Sequence, residues 1–188
     1  ESEVKALQAQ INPHFLHNTL NSIKWMAIVS NARNIADSIT ALGNMLHLLY
    51  KDTSLFHSVK DEVDYVVHYV KMMNMRYGEG IRLRVDIPDP LRTFAMLKII
   101  LQPVVENAFV HGYEHSHFKG LIHISARIEG DHLLVEVEDD GCGIPASRLE
   151  QIRGAMANVG DDRDDNADAD SIGLINTHRR IRLHYGPD

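Results

Sequence analysis

At 188 residues, 44% of them hydrophobic and 24% charged, the chain can bury one large core or two small ones. A formal charge of −7 with no stretch rich in Lys or Arg argues against a nucleic-acid or anionic-membrane surface, because phosphate binding needs clustered positive charge. Cys142 is the only cysteine, which leaves no internal disulfide and fits a reducing compartment; no apolar run approaches the roughly 20 residues that span a bilayer.

The opening Glu1-Ser2-Glu3-Val4-Lys5-Ala6-Leu7 starts in mid-pattern and Tyr185-Gly186-Pro187-Asp188 closes nothing, so the sequence reads as a fragment. Residues 1–29 predict a helix with Pro13 as an interior break or kink. A second helix is expected over 34–51, with Ile35, Ile39, Leu42, Leu46 and Leu49 at spacings of three and four, and a third from Val59 to Tyr77, stopped by Gly78. Ile81 to Ile87 alternates as a strand that Pro88-Asp89-Pro90 ends. Residues 95–111 predict a helix whose early part Pro103 reshapes. Leu121–Ile128 and Leu133–Glu138 predict strands of one hairpin, turned by Glu129-Gly130-Asp131-His132. Residues 154–171, rich in Gly, Asn and Asp, predict a mobile loop, and Leu174–Tyr185 a last helix. Helices first and a mixed unit second give an α+β chain: a helical domain over residues 1–77, then an α/β sandwich over 78–188.

On the first helix, 100° per residue puts Leu16, Leu20, Ile23 and Ala27 on one face and His14, Asn18 and Asn21 nearly opposite. A histidine on an apolar helix is ordinarily a satisfied core residue. Here the polar face leaves the imidazole open to a second molecule or domain, and neutral imidazole is a competent nitrogen nucleophile. Asn18, one turn on, can orient the ring or a water. The upstream stripe Val4, Leu7, Ile11 points toward the His14 side, so the helix is expected to change partners near Pro13.

In the strand Leu133 to Glu138 the period of two turns Leu133, Val135 and Val137 inward. Asp139 continues that phase, whereas Asp140 points out. A carboxylate aimed into a core costs several kcal/mol unless partnered, and a ligand amine is one partner. The alternative is a turn aspartate capping Gly141-Cys142-Gly143. Gly141-Cys142-Gly143-Ile144-Pro145-Ala146 also fits a GxGxxA dinucleotide fingerprint, but two aspartates directly before it would repel a pyrophosphate and no alternating βα units follow. In the helix over 95–111, Glu106, Asn107 and His111 edge the apolar stripe, Asn107 and His111 one turn apart. Asn107 offers an oxygen suited to Mg²⁺, or else caps a neighbouring loop. His111, His115, His117 and His123 resemble a zinc spacing, yet most of it falls in a loop with no cysteine close, so solvated histidines are the better reading.

Together these segments resemble a known family. Gln8-Ala9-Gln10-Ile11-Asn12-Pro13-His14-Phe15-Leu16-His17-Asn18-Thr19-Leu20-Asn21 is similar to the phosphoacceptor box of LytS-type sensor histidine kinases. Gln102 to Gly112 resembles their N box, Glu138 to Pro145 their first glycine box, and Ile172 to Ile181 their second glycine box with its helix. The four occur in the family's order and cover nearly the whole chain.

The resemblance implies a dimerising helical hairpin followed by a GHKL (Bergerat-type) α/β sandwich ATPase domain, truncated at its C-terminal end. It implies that His14 takes the γ-phosphoryl group of ATP and passes it to an aspartate on a response regulator receiver domain, with Glu106 and Asn18 assisting catalysis. Asn107 would hold Mg²⁺, Asp139 would read the adenine amino group, and Gly141, Gly143 and Gly173 would let backbone approach the nucleotide. His111 and Arg180 complete the expected nucleotide contacts. The family implies a homodimer and the cytoplasmic portion of a bacterial inner-membrane protein anchored upstream.

The sequence departs from the pattern in places. Phe15 stands where many other histidine kinases carry an acidic base, and Ala169 and Ser171 stand where lid glycines are expected. Six aspartates over 161–170 against Arg163 alone predict an open loop and strongly Mg²⁺-dependent binding. Two rivals share the ATP boxes: a GHKL ATPase without histidine kinase activity, and a degenerate kinase acting as a dimeric scaffold.

Overall fold

The computed structural model describes residues 13–51, 53–78, 80–113, 116–157 and 172–186. The upstream stripe at Val4, Leu7 and Ile11 and the aspartate-rich segment over 161–170 lie outside them. Helix α1 spans Pro13–Val29. A turn carrying Asn31 at φ +57° returns the chain into α2 (Arg33–Tyr50), making a helical hairpin. Strand β1 (Phe56–Ser58) leads straight into α3 (Val59–Tyr77). Ser58 caps α3 by accepting the Asp61 N–H at 3.1 Å. Asn74 then fastens the end of α3 to the first long strand, donating to Ile81 O at 2.7 Å and accepting from Ile81 N–H at 3.2 Å.

That strand is β2 (Ile81–Asp86), followed by β3 (Ala95–Leu97), α4 (Leu101–Asn107) and a π-type turn over Ala108–Gly112. The hairpin β4 (Gly120–Glu129) and β5 (His132–Asp139) comes next, then α5 (Ala146–Ala157) and α6 (Ile172–Tyr185). β4 lies between β2, its parallel neighbour, and β5, its antiparallel one; β1 and β3 form a separate two-stranded antiparallel sheet. The parallel β2–β4 pair requires a crossover, and α4 is carried in it. Leu133, Val135 and Val137 face the core as the alternation predicts.

Three expectations need correction. The helix read over 95–111 begins only at Leu101, because Ala95–Leu97 pairs with Phe56–Ser58 and Ile99 turns left-handed. Residues 146–157 form a helix that includes the start of the segment read as a loop. On α2 the buried residues are Ala36, Ala41 and Met45, while Ile35 of the expected stripe is 50% exposed. Phe15, Trp25, Met26 and Val29 of α1 are exposed too, so the hairpin carries apolar surface that the other described residues leave uncovered. One continuous core holds Val59, Val63, Val66 and Val70 of α3 together with Ile122 and Ile124 of β4.

Candidate functional site

The end of α4 and the end of β5 meet through backbone. Cys142 N–H donates to Gly112 O at 3.0 Å, and the Cys142 thiol lies 3.2 Å from His111 O. A side chain at Gly141 would put its Cβ 2.7 Å from Gly112 O and 2.8 Å from Asp139 Oδ1. Glycine at 141 is thus required by the protein's own close approach. Gly143 has φ +73°, which L side chains adopt at a cost. Gly141→Ala is expected to push the loop off the π turn and destabilise the fold by about 1–3 kcal/mol, measured by thermal unfolding.

Asp139 caps the turn that follows it, the alternative left open by the sequence. Its Oδ1 accepts the Gly141 N–H at 3.0 Å and stands 3.3 Å from the position a Gly112 Cβ would occupy. The residue is exposed. Asn107, half-buried, is the last residue of α4, and no hydrogen bond joins its carboxamide to another described residue. A π-type turn over Ala108–Gly112 follows it and carries His111, which is exposed. Among the described residues no three His, Cys, Asp or Glu side chains cluster to hold a metal. A carboxamide oxygen such as that of Asn107 is the kind of ligand taken by a cation that completes its shell from phosphate and water.

Asp140 does not simply point out. Its Oδ1 accepts the Leu121 N–H at 2.7 Å and the Tyr113 hydroxyl at 3.0 Å, locking the start of β4 to the end of β5. The Leu121 amide, more than the Tyr113 hydroxyl, holds the Asp140 carboxyl below its ordinary 3.8, while burial pushes the Tyr113 phenol up and keeps it a neutral donor. A folded-state value below the unfolded one stabilises above pH 3.8 and loses that contribution as pH falls through the folded value. Asp140→Asn should therefore unfold at lower temperature than the wild type at pH 7, with the gap closing on titration into acid.

His14 is exposed at the start of α1, and the Asn18 carboxamide nitrogen lies 3.3 Å from its Nδ1. The same nitrogen lies 3.5 Å from Nε2, so the amide sits beside the ring, one turn on, without singling out either ring nitrogen.

Residues 2–81 match the family model described as "Histidine kinase", and residues 95–187 match "Histidine kinase-, DNA gyrase B-, and HSP90-like ATPase". The chain belongs to the histidine kinases. It is 33% identical to the sensor histidine kinase YesM of Bacillus subtilis over 99% of its own length and 30% of that protein. Identity to the sensor histidine kinase BtsS of Escherichia coli is 36% over 74% of the chain and 25% of the relative. For the sensor protein kinase HptS of Staphylococcus aureus it is 28% over 98% and 34%. The chain thus spans about a third or less of these relatives. Among the described residues no helix is long and apolar enough to cross a membrane.

The remaining residues expected to serve a histidine kinase are scattered. Glu106 is exposed on α4 toward α3, where its charge adds to burial in raising the phenols of Tyr65 and Tyr69. Gly173 lies against α4, its notional Cβ 3.6 Å from Pro103. Arg180 bonds neither Asp139 nor Gly141; it donates instead to Ile99 O and Lys98 O, at 2.8 and 2.6 Å. Glu62 was missed altogether. It is 1% exposed, bonded to His57, and accepts three backbone N–H groups at the start of α4. Its signal was available: Glu62 lies inside the apolar stripe Val59, Val63, Val66, Val70, where a carboxylate demands partners.

Proposed function

We propose that the protein to which this chain belongs is the sensor histidine kinase of a two-component system. ATP enters the cleft between α4 and the Asp139–Gly143 loop, His14 takes its γ-phosphoryl group, and a response regulator aspartate receives it. The observation that supports this reading is the Gly112–Gly141 approach, which brings the loop after Asp139 against the turn that follows Asn107, with an exposed imidazole on a separate helix beside the Asn18 amide. Asp139 accepts from the adenine amino group, and Asn107 oxygen holds Mg²⁺. The metal, when bound, neutralises charge on the phosphates. His14 attacks through a ring-nitrogen lone pair, the N–P bond forms, the bond from phosphorus to the β–γ bridging oxygen breaks, and ADP leaves. We place the working division at a helical phosphoacceptor region over 1–77 and an ATP-binding region over 78–188, within a protein anchored in the membrane upstream.

The apolar surface of α1 and α2 supports a homodimer, in which a second copy covers Phe15, Trp25 and Ile35. Ile35→Asp with Leu42→Asp should convert the dimer to monomer by sedimentation at micromolar concentration. For the function, the full-length protein is incubated with γ-labelled ATP and then with its receiver domain. Label on the kinase that chases to the receiver supports the reading. Hydrolysis without labelled protein favours a GHKL ATPase, and neither product favours a scaffold.

A further inference from the structure

The turn between β3 and α4 is gripped from two sides by opposite charges. From α3, Glu62 accepts the Ile99 N–H on Oε2 at 2.9 Å, and the N–H groups of Ile100 and Leu101 on Oε1 at 2.6 and 2.7 Å. His57 of β1, itself 8% exposed, bonds the same Oε2. From α6, Arg180 donates through Nη1 to Ile99 O at 2.8 Å and through Nη2 to Lys98 O at 2.6 Å. The carboxylate takes the donors of this turn and the guanidinium takes its acceptors.

Between the two grips Ile99 has φ +57°. A β-branched residue in the left-handed region is an outlier, because its Cβ crowds the following carbonyl, and it persists only when its surroundings over-determine it. Helix α4 begins two residues later, and its seven α-helical residues are too few to hold a helix by themselves. A slip of one residue at its start would swing Asn107 by about 100° around the axis. The direction in which Asn107 faces is therefore set at Ile99.

We propose that Glu62 and Arg180 are positioning residues for nucleotide binding: together they hold Ile99 left-handed and so fix the orientation of the helix that presents Asn107. This rests on the assignment of ATP to the α4–β5 cleft. It gives Arg180 a role different from the nucleotide contact expected from sequence. Both of its terminal nitrogens are committed to backbone, and its reach spans 81 and 82 residues of sequence to join α6 to α4.

The two roles of Arg180 separate by rescue. Glycine adopts the left-handed conformation without strain, so Ile99→Gly makes the grip less necessary. In the full-length protein, an ATP analogue with Mg²⁺ is titrated into wild type, Arg180→Gln, Ile99→Gly and the double variant. Arg180→Gln should bind about tenfold more weakly, the scale of one hydrogen bond to a charged group. Ile99→Gly should bind near wild type, and the double variant should regain most of the loss. Glu62→Gln, which presents an amide N–H to one of the three donors, should weaken binding and be rescued in the same way. A double variant as weak as Arg180→Gln, or an Arg180→Gln that binds like wild type, overturns the proposal. Amide exchange at Ile100 and Leu101 without nucleotide is read alongside; it should speed up in Arg180→Gln and slow again in the double variant. If wild type itself fails to bind the analogue, the ATP assignment falls, and unchanged exchange in Arg180→Gln would sink the grip independently.

Discussion

His14→Gln is expected to abolish autophosphorylation while leaving affinity for an ATP analogue within about twofold of wild type, because it removes an acceptor and not a pocket wall. His14 stands on α1, while Asp139 ends β5 and Asn107 ends α4. Label on the wild type should be labile in acid and stable in alkali, as a phosphoramidate is and a phosphoserine is not. Asn18→Ala should reduce labelling less than His14→Gln and should slow water-dependent loss of the phosphoryl group, since its amide orients what approaches the ring. Labelling of His14→Gln at the wild-type rate would remove the histidine from the mechanism.

The second large effect belongs to the pocket. Asp139→Asn should keep the Gly141 N–H bond by turning its oxygen that way, which points the new NH2 at the cleft. An amino group entering there would meet a donor where it needs an acceptor, and affinity for the nucleotide should fall by about a hundredfold. Asn107→Asp should lose turnover to a comparable degree by placing a carboxylate beside the phosphates. Both variants should retain wild-type thermal unfolding, because neither change creates a cavity. Calorimetric titration with an analogue and Mg²⁺ checks the pair, and unchanged affinity in both would dismiss ATP from this cleft.

The long helices were legible because their signal is local. Val59 to Tyr77 carries its own apolar stripe, a Ser58 cap and a Gly78 stop, and the structure places the helix over those residues. The hairpin β4–β5 announced itself through alternation and Gly130 at φ +60°. Ala95–Leu97 was not legible as a strand, since its partner lies about 40 residues earlier and three apolar residues fit a helix equally well. At Asp139 the strand period suggested an inward carboxylate, whereas the hydrogen bond to the Gly141 N–H records the turn cap. The π turn and the Gly112–Gly141 approach were not legible, because both come from two segments pressing together. Arg180 shows the limit of motif reading: its place in a glycine box suggested a ligand, and its geometry records a backbone turn.

The grip at Ile99 also bears on the order in which the molecule assembles. The helical hairpin, α3 and the β4–β5 hairpin close through short loops. The start of α4 depends on Glu62, up to 39 residues earlier, and on Arg180, more than 80 residues later. Bonds across such separations form only after the chain has met the entropy of closing large loops. Refolding followed by pulsed amide exchange should find Ile100 and Leu101 protected after the strand amides of Ile122 and Ile124. A chain emerging from the ribosome would then display α1 and His14 well before the start of α4 is set.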